Sequence, residues 1–383
     1  MRITVCAAFY PPYRGGYAES VRLLAEGLAA RGHAMAVVVC DSTGLPRREM
    51  VGGVMIRRVP AWNPLFLHGS FPIPNPFIFW RELRLSHTGR ADIISTQTRF
   101  FPSTLIGFLF AKAHRISTVH TERGAAHTSA ERFFVRACGL AVDHTVGRLI
   151  CRFSDVVIGV SDAAVAFTRQ LGARATLTIH NGIDAAWWCR PNGFIRTGVF
   201  PQIIFVGRLV HAKGVQDLCI AVARLLPEFP AVSVAVVGDG PYRAALEDCA
   251  RALGIAHVVV FHGAQDAAHV RNLLWESDVF VNPSHSEGFP RSVLEAAVAG
   301  VPIIATAVGG TGEIITHAAE GLLVPVGNPV AITCAIRTML CDEALRTQSA
   351  VMARDRVEAR FSIAAMVDDY EACYKKACAE LQE

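Results

Sequence analysis

The chain is poor in lysine and lacks most of the short motifs that would settle its chemistry at once. Its only lysines are Lys112, Lys213, Lys375 and Lys376, so chemistry that needs a lysine-bound cofactor has little to draw on. No G-x-x-x-x-G-K-[ST] occurs, which excludes a P-loop at the level of motif. No D-x-D occurs either, so the common carboxylate pair that holds a divalent metal against a diphosphate is missing. Eleven cysteines are present without a C-x-x-C or a Cys/His cluster at zinc spacing. Thiols scattered in this way point to core packing in a reducing compartment, not to a disulfide frame or a metal site. No proline-free stretch of about 20 uncharged apolar residues is found, so no spanning helix is expected. The apolar start Met1–Ala8 is too short for a signal peptide and soon meets Pro11-Pro12. No basic run is interleaved with aromatics, so nucleic acid is not an expected partner.

The composition, 52% hydrophobic and 18% charged over 383 residues, is that of a globular protein of two or three domains. Charge is unevenly spread: 22 Lys and Arg face 12 Asp and Glu over residues 1–190, against 15 and 21 over 191–383. A basic first half suits an anionic lipid surface or an acidic acceptor, and equally a solvated arginine-rich surface.

Strands alternate with helices throughout. Ile3–Ala8, Ala34–Cys40, Asp92–Thr96, Ser117–His120, Val156–Ser161 and Thr176–Ile179 read as strands in the first half. Tyr17–Arg31, Phe101–His114 and Asp162–Leu171 read as the helices between them. Residues 60–80 hold five prolines among six aromatics, Phe66 included, and read as a long loop ending in a short helix. The loop either packs over the sheet edge or touches an apolar acceptor or membrane. Residues 185–200, with Trp187, Trp188, Pro191 and Gly198 and no clear period, read as a linker. A second series follows: strands at Ile203–Val206, Ser233–Val237, Val258–Phe261, Val279–Asn282, Pro302–Ala305 and Gly321–Pro325, with helices between and then over much of 329–382. Alternation of this kind implies parallel sheets with helices on both faces, and ligands bind beyond the strand C-termini of such sheets.

Several motifs fall at those strand ends. Asn282-Pro283-Ser284-His285-Ser286-Glu287-Gly288-Phe289-Pro290-Arg291-Ser292-Val293-Leu294-Glu295 puts two carboxylates eight positions apart across a loop-to-helix junction. Glu287 is expected at the mouth of the helix N-terminus and Glu295 about two turns inside, roughly 12 Å apart or less. The free N–H groups and the dipole between them suit a phosphate or sugar hydroxyls. Glu295 lies among Leu294, Ala296 and Ala297, and a carboxylate in that company needs a partner. Gly207-Arg208-Leu209-Val210-His211-Ala212-Lys213-Gly214 follows a strand and reads as an anion cradle. Gly238-Asp239-Gly240-Pro241 has Arg243 where a dinucleotide loop has its third glycine, so a Rossmann cofactor is not indicated. Val308-Gly309-Gly310-Thr311-Gly312-Glu313 and Gly15-Gly16 are either tight turns or close backbone approaches to a ligand. His120, in His120-Thr121-Glu122-Arg123-Gly124, ends a strand and is either a structural or a functional histidine.

Taken together these stretches resemble the retaining glycosyltransferases of family 4, and the resemblance covers nearly the whole chain. It implies an α/β chain of the GT-B fold, with two doubly wound Rossmann-like domains facing across a cleft. Residues 1–190 would then be the acceptor-binding domain, 191–362 the donor-binding domain, and 363–383 a terminal helix crossing back to the first. By the same resemblance Arg208 and Lys213 bind the donor diphosphate, and Glu295 binds the ribose. Glu287, with backbone N–H groups across Gly288, Phe289, Pro290 and Arg291, holds the donor sugar. Gly207 and Gly238 line the donor site, Gly16 lies near the phosphates, and His120 lies near the transferred sugar. The implied reaction is metal-independent transfer of a hexose, with retention, from a UDP- or GDP-linked sugar and with no cofactor. The acceptor would be a lipid-linked intermediate or a polysaccharide of the cell envelope. The location would be cytoplasmic, with peripheral contact to an anionic membrane left open. Many relatives follow the histidine with Gly or Asp, whereas Thr121-Glu122 follows here, so the acceptor side is not transferable. A nucleotide-sugar epimerase or a phosphorylase of the same fold, and a non-catalytic nucleotide-sugar-binding scaffold, are the alternatives.

Overall fold

The structure, a computed structural model, describes residues 1–41, 44–64, 71–87, 91–127, 133–197 and 201–379, with the backbone alone at 133–135. Phe66 and Gly198 lie outside the described residues. The chain divides into two compact units. Unit 1 is Met1–Gly182 together with the chain from Ile363 on, and unit 2 is Ile183–Ser362.

Unit 1 is built on one sheet. Its strands are β1 (Arg2–Ala7), β2 (Ala34–Asp41), β3 (Arg48–Val51), β4 (Val54–Trp62), β5 (Ile73–Pro74), β6 (Ile93–Gln97), β7 (Ser117–Glu122), β8 (Val156–Gly159) and β9 (Thr176–Thr178). Their order is β3-β4-β2-β1-β6-β7-β8-β9, with β5 on β4. Only β3 and β5 run antiparallel to their neighbour. After Arg2, every residue of β1 is buried, as expected where helices cover both faces of a parallel strand. The helix Gly16–Ala30 lays Val21, Leu24, Ala25 and Leu28 on that core, and the terminal helix Ile363–Ala379 adds Met366, Val367, Tyr370 and Tyr374 to the same cluster. Tyr374 Oη donates to Ser95 Oγ at 2.9 Å, which fastens the terminal helix to β6.

Unit 2 has β10 (Gln202–Val206), β11 (Ser233–Val237), β12 (Val259–Gly263), β13 (Val279–Asn282), β14 (Ile303–Thr306) and β15 (Leu322–Val324). The order is β12-β11-β10-β13-β14-β15, all parallel. Its core joins these strands to Leu218, Val222 and Leu225 of the helix Val215–Leu225 and to Ile332, Ile336 and Met339 of the helix Pro329–Cys341. Strand order reverses between β1 and β6 in unit 1 and between β10 and β13 in unit 2. The crevices that form at such reversals are where doubly wound sheets bind ligands.

Four expectations need correction. The division falls at Gly182/Ile183, not 190/191. The residues read as a linker start with a short helix, Ala185–Trp188, whose Trp188 is buried and whose carbonyl accepts from Trp275 Nε1 at 3.0 Å. Ile183 also bridges Ser362 within unit 2. The proline-rich stretch is less irregular than expected. Pro60 lies within β4, and Pro76 takes the first position of the helix Pro76–Ser86, where no N–H is needed. Asn75 caps that helix, its side chain accepting from Phe77 N and Ile78 N, both at 3.1 Å. β7 does not end at His120 but runs two residues further, to Glu122.

Candidate active site

In unit 2 the cradle grows from three loops that leave the C-terminal ends of β10, β13 and β14. The loop after β10 carries Gly207 to Gly214, with His211–Lys213 in a single 3-10 turn. It is sewn to the loop after β11: Gly207 N–H donates to Val237 O at 2.9 Å and Leu209 N–H to Asp239 O at 3.0 Å. The backbones come so close that a Cβ on Gly238 would lie 1.8 Å from Gly207 O.

The same loop is sewn to the one after β13. His285 N–H donates to Ala212 O at 2.8 Å. Gly214 has φ +69°, and a Cβ there would lie 2.0 Å from Pro283 O, so only glycine meets both demands. The third loop closes on the second: Gly310 N–H donates to Gly288 O at 2.8 Å, and a Cβ on Gly309, at φ +52°, would lie 1.9 Å from Glu287 O. Three strand ends thus hold one another through backbone contacts that side chains would block.

At the centre Lys213 Nζ meets Glu287 Oε1 at 2.6 Å. Ser284 Oγ lies 2.7 Å and Asn282 Nδ2 3.4 Å from the same oxygen. Glu287 lies just before the helix Arg291–Val298, and its carboxylate is nearly buried and bound from three sides through Oε1. Oε2 has no hydrogen-bond partner among the described residues, and Lys213 spends one of its three N–H groups on Glu287. Ser284 and Thr306 brace this corner, Thr306 Oγ1 donating to Ser284 O. His285 Nε2 lies 2.7 Å from Asp217 Oδ2 on the adjacent helix.

The helix Arg291–Val298 follows, with Pro290 at its cap. Phe289 and Pro290 are buried, and Phe289 packs edge-on against Phe361, centroids 5.3 Å apart. Glu295 does have the partner its apolar company demanded: Arg291 Nη2 lies 3.6 Å from its Oε1, one turn earlier on the helix. Arg208 is exposed. The structure therefore brings Gly207, Arg208, Lys213, Gly238, Glu287, Gly288 and the start of the Arg291 helix to the C-terminal end of one sheet. Asn282, Ser284 and Thr306 are members of this site that the sequence reading left without a role. Their signal was present: three polar residues at the ends of two apolar strands. Among the described residues no group of three or more His, Cys, Asp or Glu could hold a metal ion.

Unit 1 presents a different cluster at its own strand ends. Gly16 opens the helix Gly16–Ala30 behind Gly15, whose φ is +146°. His120 is fully buried, because it pairs with Thr96 of β6 on one side and Val157 of β8 on the other. Its Nδ1 is 2.9 Å from Thr96 Oγ1 and its Nε2 3.5 Å from Glu122 Oε2. The ring is thus held by two side chains of its own sheet, two residues before the C-terminal end of the strand. The residues at that end are Arg123 and Gly124, both partly exposed. Glu122 beneath them accepts from Arg123 N at 2.9 Å and Gly124 N at 2.7 Å, and meets Arg99 Nη1 at 3.0 Å. Burial pushes its carboxyl up, but Arg99, His120 and the backbone donors outweigh that and bring it down to about 2. Arg99, itself fully buried, also holds Asp143, Nε to Oδ1 at 2.6 Å, and stacks between Phe100 and Phe167. No local pattern marks this network, because Asp143 lies 44 residues from Arg99. Beside it Phe9 stacks on Tyr13 at 4.2 Å and meets Tyr17 and Phe101 edge-on, while Arg123 lies over Tyr17.

Comparison with known proteins follows the same division. The family model "Glycosyl transferase 4-like domain" matches residues 15–182, and "Glycosyl transferases group 1" matches residues 197–356. Glycogen synthase of Mycobacterium tuberculosis is 29% identical over 94% of this chain and 91% of its own length. D-inositol 3-phosphate glycosyltransferase of Geodermatophilus obscurus is 31% identical over 96% of this chain and 86% of its own. Among solved structures, Anabaena HepE in complex with UDP and glucose superposes with a TM-score of 0.79 at 21% identity, covering 98% of this chain and 100% of HepE. With two family models that together span both units and relatives matched along nearly its whole length, the chain belongs to the family 4-like glycosyltransferases of the GT-B fold.

Proposed function

We propose that this glycosyltransferase moves a hexose, with retention and without a metal, from a nucleoside-diphosphate sugar to a lipid-linked or saccharide acceptor of the cell envelope. The observation that carries the reading is the Lys213–Glu287 pair, 2.6 Å apart and locked between the ends of β10 and β13. Arg208 and the two remaining N–H groups of Lys213 supply cations for the diphosphate, and no metal is required for that charge. Glu287 Oε2 accepts from a sugar hydroxyl, while backbone N–H groups from Gly288 to Arg291 reach the same sugar. Glu295, steadied by Arg291, takes the ribose hydroxyls. Glu287 is a poor nucleophile while a cation and a hydroxyl hold its Oε1, which favours direct transfer. In that step the bond from the sugar C1 to the phosphate oxygen breaks and the bond from C1 to the acceptor oxygen forms on the same face. The acceptor's proton passes to the leaving phosphate, and the nucleoside diphosphate departs.

HepE was solved with UDP and glucose, which favours a UDP-linked hexose here. The acceptor side rests on unit 1. Phe9, Tyr13, Tyr17 and Phe101 form a partly exposed aromatic platform beside Arg123. Trp62 and Phe77 are 65% and 84% exposed, and the first half of the chain is basic. Apolar rings among cations suit an acceptor on an anionic membrane, met peripherally. No described helix is long and apolar enough to cross a membrane. The test is a thermal-shift screen against UDP-, GDP-, ADP- and dTDP-hexoses with EDTA present, since a ligand of the native state raises the midpoint. A shift with one nucleotide class that survives EDTA, and that Lys213→Ala and Glu287→Ala abolish together with turnover, is expected. No shift from folded wild-type protein, or normal turnover in either variant, overturns the assignment.

A further inference from the structure

The opposite end of the unit 2 sheet holds a second cluster of cations. A groove of about 440 Å³ is lined by Arg190, Arg196, Arg346 and Arg354, with Asp278 the one carboxylate among its described lining residues. It lies where β10, β13 and β14 begin: Arg196 precedes β10, Asp278 precedes β13, and Gly300 and Pro302 precede β14. The Lys213–Glu287 site lies where these parallel strands end. A strand of four or five residues spans about 13–17 Å, so the two places are separated by the length of the strands.

Asp278 is already satisfied. Arg196 Nη1 pairs with its Oδ1, and Gln202 N–H donates to its Oδ2 at 2.8 Å. Arg346 spends Nη1 on the carbonyls of Met339 and Leu340, at 3.0 and 3.3 Å. Among the described residues Arg354 has only a distant carboxylate, Glu358, 4.0 Å from its Nε. Arg190 Nε and Nη2 are buried with no hydrogen-bond partner among the described residues. Burial, and then the charge of Arg196, pull the Arg190 guanidinium below its ordinary range, against the opposing pull of Asp278 and Glu276. A buried donor left unmade costs about 1–3 kcal/mol, more when charged. Water can complete the hydrogen bonds but leaves the excess charge. A tetrahedral anion answers both, since the planar guanidinium fork matches two of its oxygens. The groove's volume is in the range of small-ligand sites.

We propose that this groove is a binding site for a phosphate monoester, separate from the donor site, with Arg190 and Arg354 as its principal ligands. The same chemistry is offered by a soluble phosphorylated metabolite and by the headgroup of phosphatidic acid. The experiment is calorimetric titration of the full chain with glycerol 3-phosphate. It compares wild type, Arg208→Ala/Lys213→Ala and Arg190→Gln/Arg354→Gln, with Arg354→Gln alone as a change at a partly exposed side chain and a melt of each variant to show that it is folded. Binding that persists in Arg208→Ala/Lys213→Ala, and weakens at least tenfold in Arg190→Gln/Arg354→Gln and measurably in Arg354→Gln, is expected. Co-sedimentation with phosphatidylcholine vesicles containing phosphatidic acid, lost in the same variants, would make the source a lipid; its absence beside binding in solution would make it a metabolite. Three results overturn the proposal: no binding to wild type, binding lost only in Arg208→Ala/Lys213→Ala, or equal binding by every variant, an adventitious ion only.

Discussion

Substituting Gly309 by alanine tests whether the three loops of unit 2 act as one device. A Cβ on Gly309 would lie 1.9 Å from the carbonyl oxygen of Glu287 and 2.7 Å from its carbon. Ordinary contact begins at 3.4 Å, so the two backbones must part by about 1.5 Å. Alanine at φ +52° costs about 1–2 kcal/mol in itself. Parting also breaks the 2.8 Å bond from Gly310 N–H to Gly288 O, a further loss of about 1 kcal/mol. The expected destabilisation is about 2–3 kcal/mol, readable in a urea melt. Activity should suffer more than stability. Glu287 shares the displaced carbonyl's residue, and misplacing a catalytic group by about 1 Å can cost roughly a hundredfold. Gly312→Ala is the control in the same loop, since a Cβ there meets nothing within 4 Å. The assay pairs urea melts with initial-rate measurements of sugar transfer for both variants. Gly309→Ala within about 0.5 kcal/mol of wild type and with unchanged kcat/KM would refute the idea that the loops lock one another.

Other outcomes follow from unit 1. Arg99→Ala leaves Glu122 and Asp143 buried without their cation. A loss of about 3–5 kcal/mol is expected in chemical denaturation, and a loss below about 1 kcal/mol would show that the network is incidental. The Glu122 carboxyl is held at about 2 in the folded chain, below its ordinary 4.5. Its ionisation therefore stabilises the fold above the ordinary value, and that support drains away as pH falls from about 4.5 toward about 2. Melting temperature should fall steeply over that range in wild type and less steeply in Glu122→Gln; parallel curves would sink the assignment. Ending the chain at Ser362 removes Met366, Val367, Tyr370 and Tyr374 from the unit 1 core and breaks the bond from Ser117 Oγ to Ala377 O at 2.7 Å. Unit 1 should then lose its cooperative melt, as followed by circular dichroism, while a chain ending at Ala379 keeps it.

Much of this protein was legible in its sequence because the signals are local. Ser233–Val237 and Ala267–Trp275 are a strand and a helix with the bounds that their apolar pattern and flanking breakers imply. The E-x₇-E stretch lies across a loop and a helix as read, because Pro290 and Gly300 punctuate it. The two alternating series gave two sheets, and the glycines after β10, β11 and β14 marked the places where loops leave them. Periodicity and turn chemistry act within a dozen residues, so one chain read in order contains them. What the sequence could not carry are relations between distant residues. Glu287 stood out as a carboxylate, but that its Oε1 is bound by Lys213, 74 positions away, depends on how β10 and β13 lie side by side. The need for glycine at 214 and 309 comes from carbonyls of another loop, at Pro283 and Glu287. His120 reads as the last residue of its strand, yet the pairing of β7 with β6 and β8 carries the strand on to Glu122, and the ring is buried. Arg99, Glu122 and Asp143 are three ordinary charges until packing removes the water around them, and only then must they neutralise one another. Local pattern chose the elements; the packing of elements far apart in the chain decided which polar groups are buried, which are paired and which remain to meet a ligand.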